Sequence, residues 1–283
     1  PPPFAVAGIH AIFLIWSKPK GSHRSDYLAQ LLGMPVHHVY FTQRRGAIYA
    51  ALKYPVQALQ TIWLLMRVRP RLVFVQDPPI PAALVVWLCG IFLNIELVID
   101  THTQRKLLVD YDFLWGIRKF VGKRALLNIV TNDYLAHLLQ KWDAPGIVVE
   151  DPPLPIMDTV TTRKLSGNFN VLWINVGAVD EPRHVVQAAA QQLPHITFYV
   201  TGDYERTAEL RTFKQQCPAN MIFTGYTPDD EYYPLLKSVD VALTLTTWDH
   251  TFQHGACEAM WLGRPVITSD WQILRDYFTQ GVR

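Results

Sequence analysis

Short apolar runs alternate with longer mixed segments along this chain. Residues 9–16 form a nearly continuous apolar run, the pattern of a strand buried on both faces. A polar loop at 17–25 follows, and a helix is predicted over 26–32. Residues 36–41 read as a second strand and 47–68 as a long helix. A strand at 72–76 ends in Asp77-Pro78-Pro79. A helix at 81–92 leads to a strand at 96–100, a helix at 113–126 to a strand at 128–131. Asp133 is placed to cap a helix through Lys141, and 147–150 reads as a short strand. The apolar stretch 80–99 is interrupted by Asn94 and Glu96, so it reads as a buried helix and strand and not as a membrane span. This alternation predicts a parallel, doubly wound sheet.

Asp151-Pro152-Pro153-Leu154-Pro155 can continue neither a helix nor a central strand. The alternation then restarts, with strands at 170–176, 196–201, 221–223 and 241–245 and helices at 183–192, 208–216 and 229–237. The sequence thus reads as an α/β protein of two Rossmann-like domains, 1–150 and 169–283, joined by a linker at 151–168. A chain of 283 residues suits that count. Open α/β sheets bind ligands beyond the carboxyl ends of their strands. Here those ends are 17–24, Asp77, 100–102, 177–181, Gly202-Asp203, Gly225-Tyr226 and 248–254.

Apolar residues make up 49% of the chain, enough for a sizeable core, and charged residues only 18%, against a globular average of about 25%. Cys89, Cys217 and Cys257 are scattered and odd in number. They predict a reducing compartment, with neither a disulfide framework nor metal-ligand spacing. Charge is uneven: residues 1–150 carry +7 and residues 151–283 carry −5. A basic half suits an anionic membrane surface. Basic and aromatic residues interleave over 114–124 and again from Arg44-Arg45 through Tyr49, Lys53, Trp63 and Arg67 to Arg71. The first domain is therefore expected to dock on the inner face of a membrane, through Arg118, Lys119, Lys123 and Arg124. No zinc, RRM or helix-turn-helix pattern points to nucleic acid. His10, His37, His38, His137, His184 and His195 read as structural or surface residues.

The densest chemistry lies near the end of the chain. A strand runs into the polar loop 246–253, and a helix starts at His254-Gly255-Ala256. Its N-terminus offers unpaired N–H groups and partial positive charge to an anion. Gly255 and Ala256 are small enough for a phosphate to approach the backbone. Glu258, one turn in, is placed to hold ribose hydroxyls. Gly263 stops the helix and Pro265-Val266-Ile267 begins a strand.

This stretch resembles the donor-binding segment of GT-B glycosyltransferases of the family-4 type, in which two glutamates eight positions apart flank a Gly-Phe-Gly and precede a Gly-x-Pro-Val turn. Phe252, Glu258, Ala259, Gly263, Pro265 and Val266 match, whereas His250 stands in place of the first glutamate and Gln253 in place of a glycine. Thr201-Gly202-Asp203, the Gly225-Tyr226 segment and 239–243 carry the resemblance through the second domain. The family's Gly-Arg and Lys-Gly cations are replaced. Gly177 is followed by Ala178, and Asp180-Glu181-Pro182-Arg183 stands where the lysine would be, with Arg183 as a candidate phosphate ligand. In the first domain, Asp100-Thr101-His102 resembles the family's Asp-x-His, and Gly21, His23 and Arg24 occupy its acceptor loop.

The resemblance implies two domains facing a cleft, and a chain lacking both ends of the complete enzyme. It implies transfer of a sugar from a nucleotide-diphosphate sugar, the co-substrate, to a glycan or lipid-linked acceptor. It further implies a retaining outcome with no metal and no other cofactor, in a cytoplasmic or peripheral-membrane protein. His102, Asp100 and His250 then belong to the transfer centre. Glu258, Gly255, Ala256, His254, Gly202, Tyr226, Gly177 and Arg183 belong to the donor site. The alternatives are an epimerase-like enzyme acting on a nucleotide sugar, and a degenerate GT-B subunit that supports an active partner.

Overall fold

The apolar runs pair as parallel strands in two separate sheets. The structure, a computed structural model, describes residues 9–19, 23–42, 47–102, 113–150, 158–249 and 251–280. The chain divides into two compact units, Pro1–Pro152 and Pro153–Arg283.

In the first unit β1 (Ala11–Ile15), β2 (Val36–His38), β3 (Leu72–Asp77), β4 (Glu96–Thr101), β5 (Leu127–Val130) and β6 (Gly146–Val148) lie in the order β2-β1-β3-β4-β5-β6. Every pairing among them is parallel. The helices are α1 (His23–Leu31), α2 (Ala47–Val68), α3 (Ile80–Leu93), α4 (Phe113–Gly122) and α5 (Asp133–Lys141). Strand side chains alternate between faces. Ile12, Leu14, Val73, Val75, Leu97 and Ile99 pack beneath α2, α3 and α4, meeting Leu65, Val86 and Val121. Phe13, Ile15, Phe74 and Val98 face the other way, toward Leu28 and Ala29 of α1. Burial on both faces is why these strands read as unbroken apolar runs. The strand order reverses between β1 and β3, so the crevice of this sheet opens at the ends of those two strands.

Among the boundaries that differ from the sequence reading, three have a clear local reason. Helix α1 begins three residues early because Arg24 and Ser25, in its first turn, are anchored to Asp100. Helix α4 stops at Gly122, where a Cβ would come within 3.3 Å of Asn128 Oδ1. Asn128 Nδ2 seals that end by donating to the carbonyls of Gly122 and Pro145. Asn132, one residue before Asp133, caps α5 by accepting from the Leu135 amide.

In the second unit β7 (Asn170–Trp173), β8 (Thr197–Thr201), β9 (Met221–Gly225), β10 (Val241–Thr244) and β11 (Val266–Thr268) are ordered β11-β10-β7-β8-β9, again all parallel. Their helices are α6 (Arg183–Gln192), α7 (Ala208–Gln215), α8 (Asp229–Ser238), α9 (His254–Trp261) and α10 (Gln272–Tyr277). Leu172 and Ala242 pack toward α8 and α9, while Val171, Trp173, Phe198 and Val200 pack toward α6 and α7. The order reverses between β7 and β10, where the donor segment begins. Gly263, at φ +68, ends α9, and its amide and that of Arg264 return to Met260 and Ala259. Among the described residues no helix is long and apolar enough to cross a membrane.

Candidate functional site

Strand β4 ends in a buried carboxylate that gathers three partners. Asp100 is fully buried. Its Oδ2 accepts from Ser25 Oγ at 2.9 Å and lies 3.0 Å from His102 Nε2, and Oδ1 lies 3.4 Å from Arg24 Nη2. Ser25 Oγ is itself 3.1 Å from His102 Nε2. Burial alone would raise the Asp100 pKa. The hydrogen bond and charge of His102, the Arg24 guanidinium and the Ser25 hydroxyl outweigh it and hold the carboxyl below its ordinary value. An ionised Asp100 can only accept, so Nε2 of His102 carries a proton toward it, and the lone pair of the neutral ring lies on Nδ1. The His102 amide donates to the Asp77 carbonyl at 2.9 Å, which fixes the ring's origin between β3 and β4.

Arg24, read from sequence as an acceptor-loop residue, turns inward instead. It is buried, and Nη2 also donates to the Val149 carbonyl at 2.9 Å. It holds Asp100 in place. Ser25 was missed in the sequence, because nothing in a Ser-Asp pair at a helix start signals contact with a strand 75 residues away. Gly21 lies outside the described residues; His23 opens α1, and its side chain lies outside them too.

At the switch point of the second unit, the loop after β7 curls round its own carboxylate. Glu181 accepts from the amides of Val176 at 2.8 Å and Ala178 at 2.7 Å. Gly177, at φ +70, makes the curl possible; a Cβ there would lie 2.9 Å from Leu210 Cδ1. Burial pushes the Glu181 carboxyl above its ordinary value, and the amides pull it partly back. Asp180 Oδ2 accepts from Thr246 Oγ1 at 2.6 Å, and its carbonyl accepts from the Thr247 amide at 2.7 Å. The two acids that stand in place of the family's cations are thus braces. Glu181 holds the β7 loop, and Asp180 ties it to the loop after β10.

Arg183, the candidate phosphate ligand, pairs with Glu209 of α7. A different cation reaches the loop. Arg206 Nη2 donates to the carbonyls of Val176 at 3.2 Å and Gly177 at 3.1 Å. Only the fold brings the loop after β8 against the loop after β7, so no sequence pattern marks Arg206. Gly202, at φ +98, lets β8 end close to its neighbour, since a Cβ would sit 2.9 Å from the Asn175 carbonyl oxygen. Tyr226, just past β9, is 82% exposed and presents an open ring at the same sheet edge.

The start of α9 is small for a packing reason. A Cβ on Gly255 would come within 2.8 Å of Ile174 Cγ2, so glycine lets the helix seat on the end of β7. Ala256 is fully buried, and its amide bonds the Gln253 carbonyl at 3.0 Å. Both residues are the expected phosphate approach, and the structure gives them a packing role as well. Gly255→Ala is expected to destabilise the second unit by about 1 kcal/mol, overpacking strain of about 1–3 kcal/mol outweighing a helix-propensity gain below about 1 kcal/mol. Adding Ile174→Ala should relieve the strain. Urea unfolding that finds Gly255→Ala more stable than the parent would refute this account of the contact.

Glu258 is buried one turn into α9 and joins it to α8. Its Oε2 accepts from Tyr232 Oη at 2.6 Å and its Oε1 from Tyr233 Oη at 3.1 Å, with His254 Nε2 3.5 Å from Oε1. Burial first, and then the Glu258 charge, push both phenols well above their ordinary values. A carboxylate has about four lone-pair positions, so acceptor capacity remains beyond the two tyrosines. The His254 ring also packs edge-on against Trp261 at 5.5 Å. His250 lies outside the described residues. The structure therefore brings Asp100, His102 and Arg24 together in the first unit. In the second it pairs His254 with Glu258 and sets Gly177, Gly202, Tyr226 and the start of α9 along one sheet edge.

Helix α4 contradicts the expected membrane contact of Arg118. That side chain is buried and grips Asp77 with two hydrogen bonds, Nε to Oδ2 at 2.8 Å and Nη2 to Oδ1 at 3.2 Å. Lys119 lies over the Trp115 ring and Arg124 over the Phe120 ring. The period of the helix, not its charge, decides which of its cations face outward.

Two Rossmann-like units with these strand orders define the GT-B fold. Residues 170–283 match the family described as "Glycosyl transferases group 1". The chain is similar to the crystal structure of Anabaena HepE in complex with UDP and glucose, at 17% identity and a TM-score of 0.72, over 97% of this chain and 84% of that one. It is similar to sucrose-phosphate synthase from Thermosynechococcus elongatus, at 17% identity and a TM-score of 0.70, over 94% of this chain and 83% of that one. A UDP-GlcNAc 2-epimerase from Methanocaldococcus jannaschii shares the fold at 12% identity and a TM-score of 0.57, over 95% and 86% of the two chains. None of the curated proteins compared with the chain matches it.

Proposed function

We propose that this protein is a glycosyltransferase that moves a sugar from a nucleotide-diphosphate sugar to a hydroxyl of a glycan or lipid-linked acceptor, in the cytoplasm or at the inner face of the cell membrane. The match of residues 170–283 to glycosyl transferases carries this reading. On it, the second unit holds the donor, with Glu258 accepting from ribose hydroxyls and Tyr226 offering a ring to the base. In the first unit His102 presents Nδ1 to a hydroxyl of the donor sugar or acceptor. The sugar's bond to the diphosphate breaks and its bond to the acceptor oxygen forms. The acceptor proton passes, directly or by way of His102 Nδ1, to the departing diphosphate, on which the negative charge collects. Backbone amides and Arg206 would meet that charge without a metal. With the family's lysine position held by Asp180 and Glu181, and His250 in place of the first glutamate, the retaining outcome rests on the resemblance alone.

UDP is the first nucleotide to try, since HepE was crystallised with UDP and glucose. Glu258→Gln should weaken nucleotide binding by about 1–3 kcal/mol, the cost of poorly matched buried hydroxyl partners. Because Tyr232 and Tyr233 also donate to Glu258, thermal unfolding of the variant must be measured beside the calorimetric titration. A folded Glu258→Gln protein with undiminished nucleotide affinity removes Glu258 from the donor site. A second reading, a GT-B subunit without its own activity, is favoured by one observation: Asp180 and Glu181 brace the loop where the family carries cations. Nucleotide-sugar turnover by the chain would exclude it.

A further inference from the structure

We propose that the outward face of α2 and α3 docks the first unit onto an anionic lipid bilayer. On α2 the exposed large side chains are Leu52, Leu59, Trp63 and Met66. Their spacing of seven, four and three residues places them on a single stripe. The buried residues of the same helix, Gln57, Thr61 and Leu65, lie on the opposite side. On α3 the exposed side chains are Leu88, Ile91 and Phe92, also on one stripe, and no residue of that helix is charged. Phe92 is 85% exposed, Leu59 67%, and Trp63 and Ile91 59% each. Single exposed apolar residues are ordinary; two neighbouring helices that share one core cluster and both turn apolar stripes outward are not.

The charge around these stripes selects the occupant. Residues 47–96 hold four Lys or Arg and two acids, Asp77, which is buried against Arg118, and Glu96, which is exposed at the start of β4. Arg67 lies over the Trp63 ring at 5.4 Å, and Arg69 and Arg71 are exposed just past the end of α2. Arg124 lies over Trp87, which belongs to α3. Aromatic and aliphatic side chains set among cations that outnumber the exposed acid Glu96 suit insertion to the headgroup boundary, with guanidinium groups reaching lipid phosphates. A second copy fits less well. A two-fold contact through this face would bring two sets of its cations, Arg67, Arg69 and Arg71, into one interface. Both helices run antiparallel to the strands they precede, so Trp63, Met66, Ile91 and Phe92 gather at the amino edge of the sheet. Asp100 and His102 lie at the carboxyl edge, away from the docking surface.

This surface uses no residue of the donor site, so its failure and that of the transferase reading are separable. The chain is sedimented with phosphatidylcholine vesicles, with and without phosphatidylglycerol, across a salt series, and nucleotide binding is titrated in the same preparations. Binding should rise with phosphatidylglycerol and fall with salt. Trp63→Ser with Phe92→Ser, both at exposed positions, should weaken it at least tenfold and leave nucleotide affinity unchanged. Arg67→Gln with Arg71→Gln should abolish most of the preference for phosphatidylglycerol. Failure of the parent chain to bind at low salt overturns the proposal, as does undiminished binding by the Trp63/Phe92 variant. A parent chain that is dimeric in sizing experiments, and monomeric when Trp63 and Phe92 are replaced, also overturns it, because a second copy then covers this face.

Discussion

His102→Ala is expected to lower turnover by about 10²–10⁴, the range for a positioned proton-transfer group, with nucleotide affinity unchanged. The expectation rests on how the ring is held. Asp100 and Ser25 both meet Nε2, at 3.0 and 3.1 Å, which leaves Nδ1 as the outward nitrogen. The Asp77 carbonyl fixes the backbone from which the ring projects. No residue of the second unit is needed for this arrangement, so a nucleotide titration isolates the transfer step from donor binding. His102→Asn should not rescue, because its amide group cannot carry one proton toward Asp100 and offer a basic nitrogen on the other side. Retained turnover in His102→Ala, or a loss accounted for by nucleotide affinity, would show that the histidine only packs the end of β4.

The largest expected effect on stability comes from Arg118. Its two hydrogen bonds to Asp77 link α4 to the end of β3 in a site where both side chains are buried. Arg118→Leu leaves the Asp77 carboxylate without its cation and should cost about 3–5 kcal/mol. The pair itself is worth less than that, because both groups were desolvated to form it. Replacing both, as Asp77→Ala with Arg118→Leu, should therefore recover most of the loss. Denaturant unfolding of the parent, the single variant and the double variant decides it. A loss below about 1 kcal/mol in the single variant would mean that water reaches Asp77 and that the pair behaves as a surface one.

Arg118 also marks where reading the sequence ran out. The alternation of apolar runs carried the two sheets, because strands covered on both faces leave continuous apolar signatures such as 11–15 and 97–99. The stop of α9 at Gly263 was legible because only a left-handed residue makes that turn without strain. The direction of a side chain on an amphipathic helix was harder. Arg118 looked like its neighbours Lys119, Lys123 and Arg124, and only the position of Asp77 on β3 separates it from them. Ser25 and Arg206 were invisible for a related reason, since each acts on a loop or strand far away in sequence. Gly255 shows a small residue whose packing cause, the contact with Ile174, is visible only in the fold. Similarly, spacing places Glu258 one turn into α9 for ribose, but its tyrosine partners on α8 cannot be read from spacing alone.

The central claim is that the chain transfers sugar from a nucleotide-diphosphate donor. The most direct test incubates it with UDP-, GDP-, ADP- and dTDP-sugars and follows both release of the nucleoside diphosphate and incorporation of sugar into glycan and lipid-linked acceptors. The account predicts that one donor is consumed with equal appearance of diphosphate and glycosylated acceptor, and that His102→Ala loses this while still binding the nucleotide. If no donor in the panel binds or is consumed, or if a donor is consumed only by change of its sugar with the diphosphate bond intact, the transferase reading is contradicted.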